Sequence, residues 1–199
     1  MSSTESNRPV SELPGWVAPV LRVLRVLDGV NARLAGGVAW LVPTMAVLTF
    51  AIVVLRYAVN LGWIWLQELV IYLHAAFLML AMGAAYRADA HVRVDIWFEQ
   101  FDARRRAQVE FWGVLVLLFP LCLLMLWYGV PYVMNAWLQL EGSAAAGGLP
   151  LVFVLKTLIV LMPMGLLIEG AVRLARARLR MLGVDPVAAG LPDSAEDRA

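Results

Sequence analysis

The side chains best suited to bind or activate a ligand are concentrated in the segment YRADAHVRVDIWFEQ, residues 86–100. Asp89, His91 and Asp95 could supply the oxygen and nitrogen ligands that a metal-dependent hydrolase needs. Arg87 and Arg93 lie among them and oppose the binding of a cation. The alternative is that the segment is a charged turn between two membrane spans, and the rest of the sequence favours this interpretation.

Other signals of catalysis are missing from the sequence. A bis-histidine haem would need both of the chain's two histidines inside spans, but His74 lies in an apolar run and His91 in the charged segment. There is no glycine-rich phosphate loop, no CxxC pair and no nucleophile motif. The single cysteine, Cys122, lies in an apolar run and is expected to be a small buried hydrophobic residue. We therefore predict that the protein is not an enzyme and has no cofactor.

The composition indicates a membrane protein. Of the 199 residues, 62% are hydrophobic and 16% are charged, and the mean hydropathy is +0.76. A soluble domain of this size cannot bury so much apolar surface. One span needs roughly 20 apolar residues, and four runs have this length, at residues 34–56, 68–87, 110–133 and 149–172. The predicted fold class is all-α: a polytopic membrane protein with four transmembrane helices in residues 34–175.

The distribution of basic residues predicts how the spans are oriented. Fourteen of the 16 lysines and arginines precede the first span, connect the second to the third, or follow the fourth. The other two, Arg56 and Lys156, lie near span ends, where long side chains can reach the interface. Both termini are therefore predicted to be cytoplasmic, in a multi-pass membrane protein. Residues 1–33 are predicted to form a cytoplasmic N-terminal segment, and residues 176–199 a partly disordered cytoplasmic tail. The net charge of +1 says nothing about nucleic acid, and no nucleic-acid partner is expected.

Two segments have the pattern of amphipathic helices that lie in the plane of the membrane. In residues 94–108 the apolar positions recur at i, i+3, i+4 and i+7, and Arg104–Arg106 can contact lipid headgroups. Within residues 1–33, Asp28 is set off from an apolar stripe made of Trp16, Val20, Leu24 and Leu27.

Titratable groups inside spans commonly have a partner or a function. Glu68 opens the second span and is expected to interact with the helix N-terminus or to contact a partner protein. Lys156 is predicted to reach the interface or to pair with Glu68. Glu169 is four residues before Arg173, a spacing that allows pairing on a helix. His74 is expected to be neutral and hydrogen-bonded between helices, and a proton relay is the alternative.

Three stretches together resemble one family. The first is RYAVNLGWIWLQELVIYLHAAFLMLAMGAAYRADAHVRVDIWFEQF (residues 56–101), in which His91-Val92-Arg93-Val94-Asp95 follows the second span. The others are DARRRAQVEFWG (102–113) and EGSAAAGGLPLVFVLKTLIVLMP (141–163). In this order and spacing they resemble the small membrane subunit of tripartite ATP-independent periplasmic (TRAP) transporters, the DctQ-like family, over residues 35–175.

The resemblance implies a non-catalytic subunit of a complex in the bacterial inner (cytoplasmic) membrane. In such systems a periplasmic solute-binding protein captures an organic acid such as a carboxylate, and a large permease subunit moves it inward, driven by a sodium gradient. The small subunit is expected to brace the large permease subunit within the membrane lipid and to help dock the binding protein. The positions marked as partner-contacting or structural are Arg56, Gln67, Glu68, His91, Arg93, Asp95, Glu141, Gly142, Ser143 and Lys156.

The sequence departs from the family pattern at two places. Gln67 stands where the family often has an acid, and Ala144–Ala146 stand where an acid or a proline often follows the serine. Two other functions remain as alternatives. A stand-alone, proton-coupled exporter or channel would use His74, Glu68 and Glu169, and a haem or metal enzyme would depend on the two histidines alone.

Overall fold

The computed structural model describes residues 14–15, 17–88 and 101–191, without the side chain of Ala103. These residues form helices joined by turns and contain no β-strand, which confirms the predicted all-α class. The helices are α1 (Val17–Ala39), α2 (Leu41–Ala58), α3 (Ile64–Arg87), α4 (Ala103–Gly113), α5 (Phe119–Leu138) and α6 (Val152–Met181), with a π-helical turn (Val114–Leu118) between α4 and α5.

Four helical stretches of the described residues are long and apolar enough to cross a membrane, which confirms the predicted number of spans. They are Val17–Ala58 (42 residues), Ile64–Arg87 (24), Arg104–Leu138 (35) and Val152–Met181 (30). Each is longer than the uncharged run that predicted it, because a helix continues through charged residues that find a partner or reach an interface.

The predicted in-plane helix at residues 94–108 is described only in part. Residues 103–108 belong to α4, which continues through the π-helical turn into α5. Residues 94–100 lie outside the described residues, so an in-plane helix there stays a prediction.

Pro43 explains why the first stretch is divided into α1 and α2. Proline has no N–H, so Pro43 cannot donate to the carbonyl of Ala39, and its ring crowds that carbonyl. The helix is interrupted at the intervening Trp40. The exposed hydroxyl of Thr44 donates to the Trp40 carbonyl at 2.8 Å, so this polar side chain is satisfied by its own helix.

The π-helical turn is another local deviation, and it ends directly before Phe119 and Pro120. The Phe119 N–H donates to the Val114 carbonyl, five residues earlier, which is the π-helical pattern. Gly170 of α6 lies against this turn. A Cβ at Gly170 would be 2.8 Å from Leu118 Cδ2, so glycine allows the close approach.

The chain divides into two compact units. Unit 1 takes its described residues from 1–31, 85–122 and 166–199, and unit 2 comprises residues 32–84 and 123–165. In unit 1 a hydrophobic cluster joins the start of α1 to the end of α6 and to the turns that follow it. Its buried members are Leu21, Leu179, Val184 and Leu191. The part of the predicted tail up to residue 191 therefore packs on the protein, whereas residues 192–199 lie outside the described part.

The buried face of α1 differs from the predicted stripe. Val20 and Leu27 are exposed, and Asp28, which was assigned to the polar side, is buried. Buried or half-buried positions recur at alternating intervals of four and three residues: Val17, Leu21, Leu24, Asp28, Asn31, Ala35 and Val38. The prediction from apolar residues missed this face because two of its positions are polar.

Candidate functional site

Glu68, in the first turns of α3, binds the loop between α5 and α6 with both of its carboxylate oxygens. Its Oε1 accepts a hydrogen bond from Ser143 Oγ at 2.5 Å, and its Oε2 accepts one from the Leu149 N–H at 2.7 Å. The Ser143 N–H donates to the Leu149 carbonyl at 3.0 Å. We call Glu68, Ser143 and the Leu149 N–H the carboxylate clasp, because together they hold the two ends of residues 143–149.

The glycine pair at residues 147–148 permits this loop conformation. Gly147 has a φ of +79°, in the left-handed region that glycine adopts readily. A Cβ at Gly148 would be 2.8 Å from Glu68 Oε1 and closer still to the Ser143 side chain. The loop is also closed on itself, since the Gly148 N–H donates to the Ala145 carbonyl at 3.0 Å. Any larger residue at position 148 would therefore disturb the clasp.

Glu141 and Lys156 form the other polar contact of this site. Lys156 Nζ is 2.5 Å from Glu141 Oε2 and 4.2 Å from the centre of the Tyr132 ring. The Glu141 carbonyl accepts a hydrogen bond from the Phe153 N–H at 3.2 Å, so the same residue also caps α6. Lys156 thus pairs with Glu141, and not with Glu68, which was one of the two possibilities that the sequence left open.

The chain reversal after α5 explains this choice of partner. Leu140 has a φ of +45°, which turns the chain back at the end of α5, and the Glu141 N–H donates to the Ala136 carbonyl at 3.0 Å. Trp137 Nε1–H donates to Thr157 Oγ1 at 3.0 Å. These contacts tie the end of α5 to the start of α6 and bring the Glu141 carboxylate beside Lys156.

The structure brings some predicted site residues together and separates others. Glu68, Ser143, Glu141 and Lys156 form the two contacts above. Gly142 lies in the same loop, where a Cβ would be an ordinary 3.4 Å from Pro150 Cα.

The remaining predicted residues take no part in these contacts. Arg56, in the last turn of α2, and Gln67 are exposed, and within the described part of the chain neither side chain hydrogen-bonds to the loop. His91, Arg93 and Asp95 lie outside the described residues, and their roles stay predictions.

Sequence reasoning missed several residues that build the site. Gly148 and the Leu149 N–H are not among the predicted site residues. The Gly-Gly-Leu-Pro run of the third stretch was the sequence signal that could have identified them. Tyr132 and Trp137 lie before the loop, in the apolar third span, where nothing in their local sequence distinguishes them from lipid-facing aromatic residues.

Unit 1 contains a second polar cluster, none of whose members is among the predicted site residues. Asn31 Nδ2–H donates to Glu169 Oε1 at 2.7 Å, and Arg87 pairs with Asp28 at 3.0 Å. Asp28 and Glu169 are each 2% exposed. The alternating intervals of four and three residues between the inward-facing positions of α1 could have identified Asp28 and Asn31 as members of the buried face.

Arg173 of α6 contacts two other helices of unit 1, α3 and α4. It pairs with Glu110 of α4 at 3.1 Å, donates to the Tyr86 carbonyl, and lies with its guanidinium 4.2 Å from the centre of the Tyr86 ring. Arg180 is 3.8 Å from the other oxygen of Glu110. Glu169 and Arg173 thus bind partners on other helices, instead of each other as predicted.

The two clusters consist of carboxylates and of donors from the same chain. In the part of the chain that the structure describes, no group of three or more His, Cys, Asp or Glu residues is placed to hold a metal ion. Buried or half-buried ion pairs and hydrogen bonds of this kind fix helices and loops relative to their immediate neighbours.

The fold and these clusters define a multi-pass helical membrane protein whose polar groups hold its own loop and helices in place. The family model described as the DctQ component of tripartite ATP-independent periplasmic transporters matches residues 45–180. The chain therefore belongs to the DctQ family and is a transporter component, which confirms the resemblance seen in the sequence. The searches found no match among curated proteins or solved structures.

Proposed function

We propose that this chain is the non-catalytic small permease subunit of a sodium-driven TRAP transporter and that it braces the large permease subunit in the bacterial inner membrane. Family membership supports a role in a three-part, ATP-independent uptake system. Without ATP, accumulation of a solute needs an ion gradient, and the sodium gradient is the proposed source. The proposed substrates are organic acids such as carboxylates, captured by a periplasmic binding protein.

The internal polar contacts support a bracing role over the alternative of a stand-alone exporter. That alternative depends on Glu68, Glu169 and His74. Glu68 is bound by Ser143 and the Leu149 N–H, and Glu169 accepts a hydrogen bond from Asn31. His74 lies on the exposed side of α3. Acids that are held by their own chain suit a rigid support better than a moving proton path.

The clasped loop is the proposed docking point for the binding protein. The clasp directs Ser143 and Leu149 toward Glu68 and leaves Ala144–Gly147 exposed. A loop held at both ends presents its exposed residues in a defined conformation, which lowers the ordering cost of binding. With both termini cytoplasmic, as the arginine distribution predicts, this loop faces the periplasm.

Reconstitution tests the proposed function. Proteoliposomes would contain the large permease subunit with or without this chain, with the binding protein and a radiolabelled carboxylate outside and an inward sodium gradient. We expect uptake only when this chain is present. Equal uptake without it would contradict the bracing role.

Cysteine labelling tests the proposed topology. Ala145→Cys and Ala188→Cys place thiols at exposed positions of the loop and of the turns after α6, and the native Cys122 is buried. In intact spheroplasts an impermeant maleimide should label position 145, and position 188 only after permeabilisation. The reverse pattern would contradict the assigned orientation.

A further inference from the structure

The exposed side of α3 carries polar side chains within a membrane span. Gln67, Ile71, His74 and Leu78 are all exposed, at successive intervals of four, three and four residues. On a helix of 3.6 residues per turn these positions lie on one face. We call these four residues the α3 stripe. The adjacent Glu68 points to the clasped loop, so the stripe occupies a different side of the helix from the clasp.

His74 lies near the middle of the span. At a rise of 1.5 Å per residue it is about 15 Å from the start of α3 and about 20 Å from its end. No hydrogen bond joins its side chain to another described residue, so the predicted interhelical hydrogen bond is not formed within this part of the chain. A titratable group at this depth normally faces a bundle interior or a water-filled cavity. His74 therefore needs a covering partner from outside the described residues.

Two exposed positions on other helices lack the polar group that the α3 stripe carries. Phe50 on α2 and Leu124 on α5 are 71% and 55% exposed and are purely apolar, as lipid-facing residues are. Thr44 satisfies its hydroxyl within α2. An imidazole cannot bond back to its own helix in this way as readily as a threonine hydroxyl. The α3 stripe thus combines apolar residues for packing with a group that requires a hydrogen-bond partner.

We propose that the α3 stripe packs against a transmembrane helix of the large permease subunit, which presents a hydrogen-bonding side chain to His74 between apolar residues that meet Ile71 and Leu78. This inference rests on the proposed function, which supplies the partner subunit. Lipid chains offer no donor or acceptor at this depth, whereas histidine commonly hydrogen-bonds across helices in membranes. The partner is a different subunit because the family forms part of a heteromeric transporter.

Site-specific photo-crosslinking in the assembled complex tests the location of the interface. A photoreactive phenylalanine analogue would replace Ile71 or Leu78, which are 61% and 50% exposed, with Phe50 and Leu124 as matched exposed controls. We expect adducts with the large subunit from positions 71 and 78 in higher yield than from 50 and 124. Equal or lower yields from 71 and 78 would overturn the proposal, as would adducts with a second copy of this chain.

Substitution of His74 tests the hydrogen bond. His74→Leu should weaken binding of the large subunit roughly threefold to twentyfold, the usual effect of one interhelical hydrogen bond. His74→Gln should retain most of the binding, and Phe50→Leu should not change it. The melting temperature of the isolated chain in detergent should not fall with His74→Leu, because leucine suits an exposed membrane position.

The outcomes separate this inference from the proposed function. Unchanged binding with His74→Leu, or a lower melting temperature of the isolated chain, would overturn the role of His74 while leaving co-purification and uptake intact. If the wild-type chain neither binds the large subunit nor supports uptake, the proposed function itself fails and the inference fails with it.

Discussion

Replacement of Gly148 by alanine is the sharpest test of the carboxylate clasp. The new Cβ would be 2.8 Å from Glu68 Oε1 and nearer still to the Ser143 side chain. An ordinary van der Waals contact begins at about 3.4 Å, so the carboxylate must retreat by more than half an ångström or the loop must open. Because these two groups share the 2.5 Å hydrogen bond, either response breaks it. Overpacking of this kind costs about 1–3 kcal/mol.

The assay compares Gly148→Ala with Gly142→Ala, the same substitution in the same loop. A Cβ at Gly142 meets only Pro150, at an ordinary 3.4 Å. For a chain of this length, 1–3 kcal/mol corresponds to a fall of roughly 2–12 °C in melting temperature. We expect this fall in purified Gly148→Ala, a change within about 1 °C in Gly142→Ala, and a matching loss of uptake in proteoliposomes only for the former.

Two results would refute the reasoning. If Gly148→Ala melts at the wild-type temperature, the loop is not held by the clasp. If it melts lower but supports full uptake with normal affinity for the binding protein, the clasp stabilises the chain but the loop conformation does not matter for transport.

Further predictions concern stability, measured as the melting temperature of the purified chain in detergent. Asn31→Ala removes the donor to buried Glu169 and should cost about 1–3 kcal/mol. Asn31→Asp should cost more, because a third carboxylate then joins Asp28 and Glu169 in the cluster, and the opposite order would contradict this. Leu140→Gly should stabilise the chain by about 1 kcal/mol, because glycine adopts the left-handed conformation of this position without strain. A lower melting temperature would mean that the leucine side chain itself stabilises the fold. Gly170→Val should destabilise the chain by about 1–3 kcal/mol, because the new side chain overpacks the π-helical turn. Gly129→Ala should be neutral, because the new Cβ would be an ordinary 3.4 Å from Ile159. Equal effects of the two substitutions would show that the close approach at Gly170 does not decide stability.

The number of spans was predictable because an uncharged apolar run is a local, one-dimensional signal. The helix ends were not predictable from it. α6 continues beyond residue 172 through Arg173 and Arg180, and both of these arginines contact Glu110 of another helix. A charge that pairs across helices does not end a helix, and the pairing is invisible in a local window of sequence.

The loop site was predictable as a set of residues but not as a set of contacts. The third sequence stretch marked Glu141, Ser143 and Lys156, yet the choice of Glu141 as the partner of Lys156 follows from the reversal at Leu140. A leucine with positive φ gives no sequence signal for such a turn. The inward positions of Asp28 and Asn31 were missed for a related reason, since a stripe of apolar residues cannot include a polar position that finds its partner on a distant segment.

The proposed bracing role requires a chain that keeps its shape while the large subunit moves, and the contacts described above have the properties that this role requires. The clasp joins Glu68 to residues 75 and 81 positions away, and the Asn31–Glu169 hydrogen bond spans 138 positions. Such long-range contacts resist separation more strongly in a low-dielectric environment than in water, because a broken contact leaves a polar group without a substitute partner. His74 makes no contact of this kind within the described residues. In the proposed interface, its imidazole is therefore available to hydrogen-bond with the large subunit. The free-energy cost of leaving a polar group unpaired in the membrane, which keeps the internal contacts closed, would also oppose dissociation of that subunit.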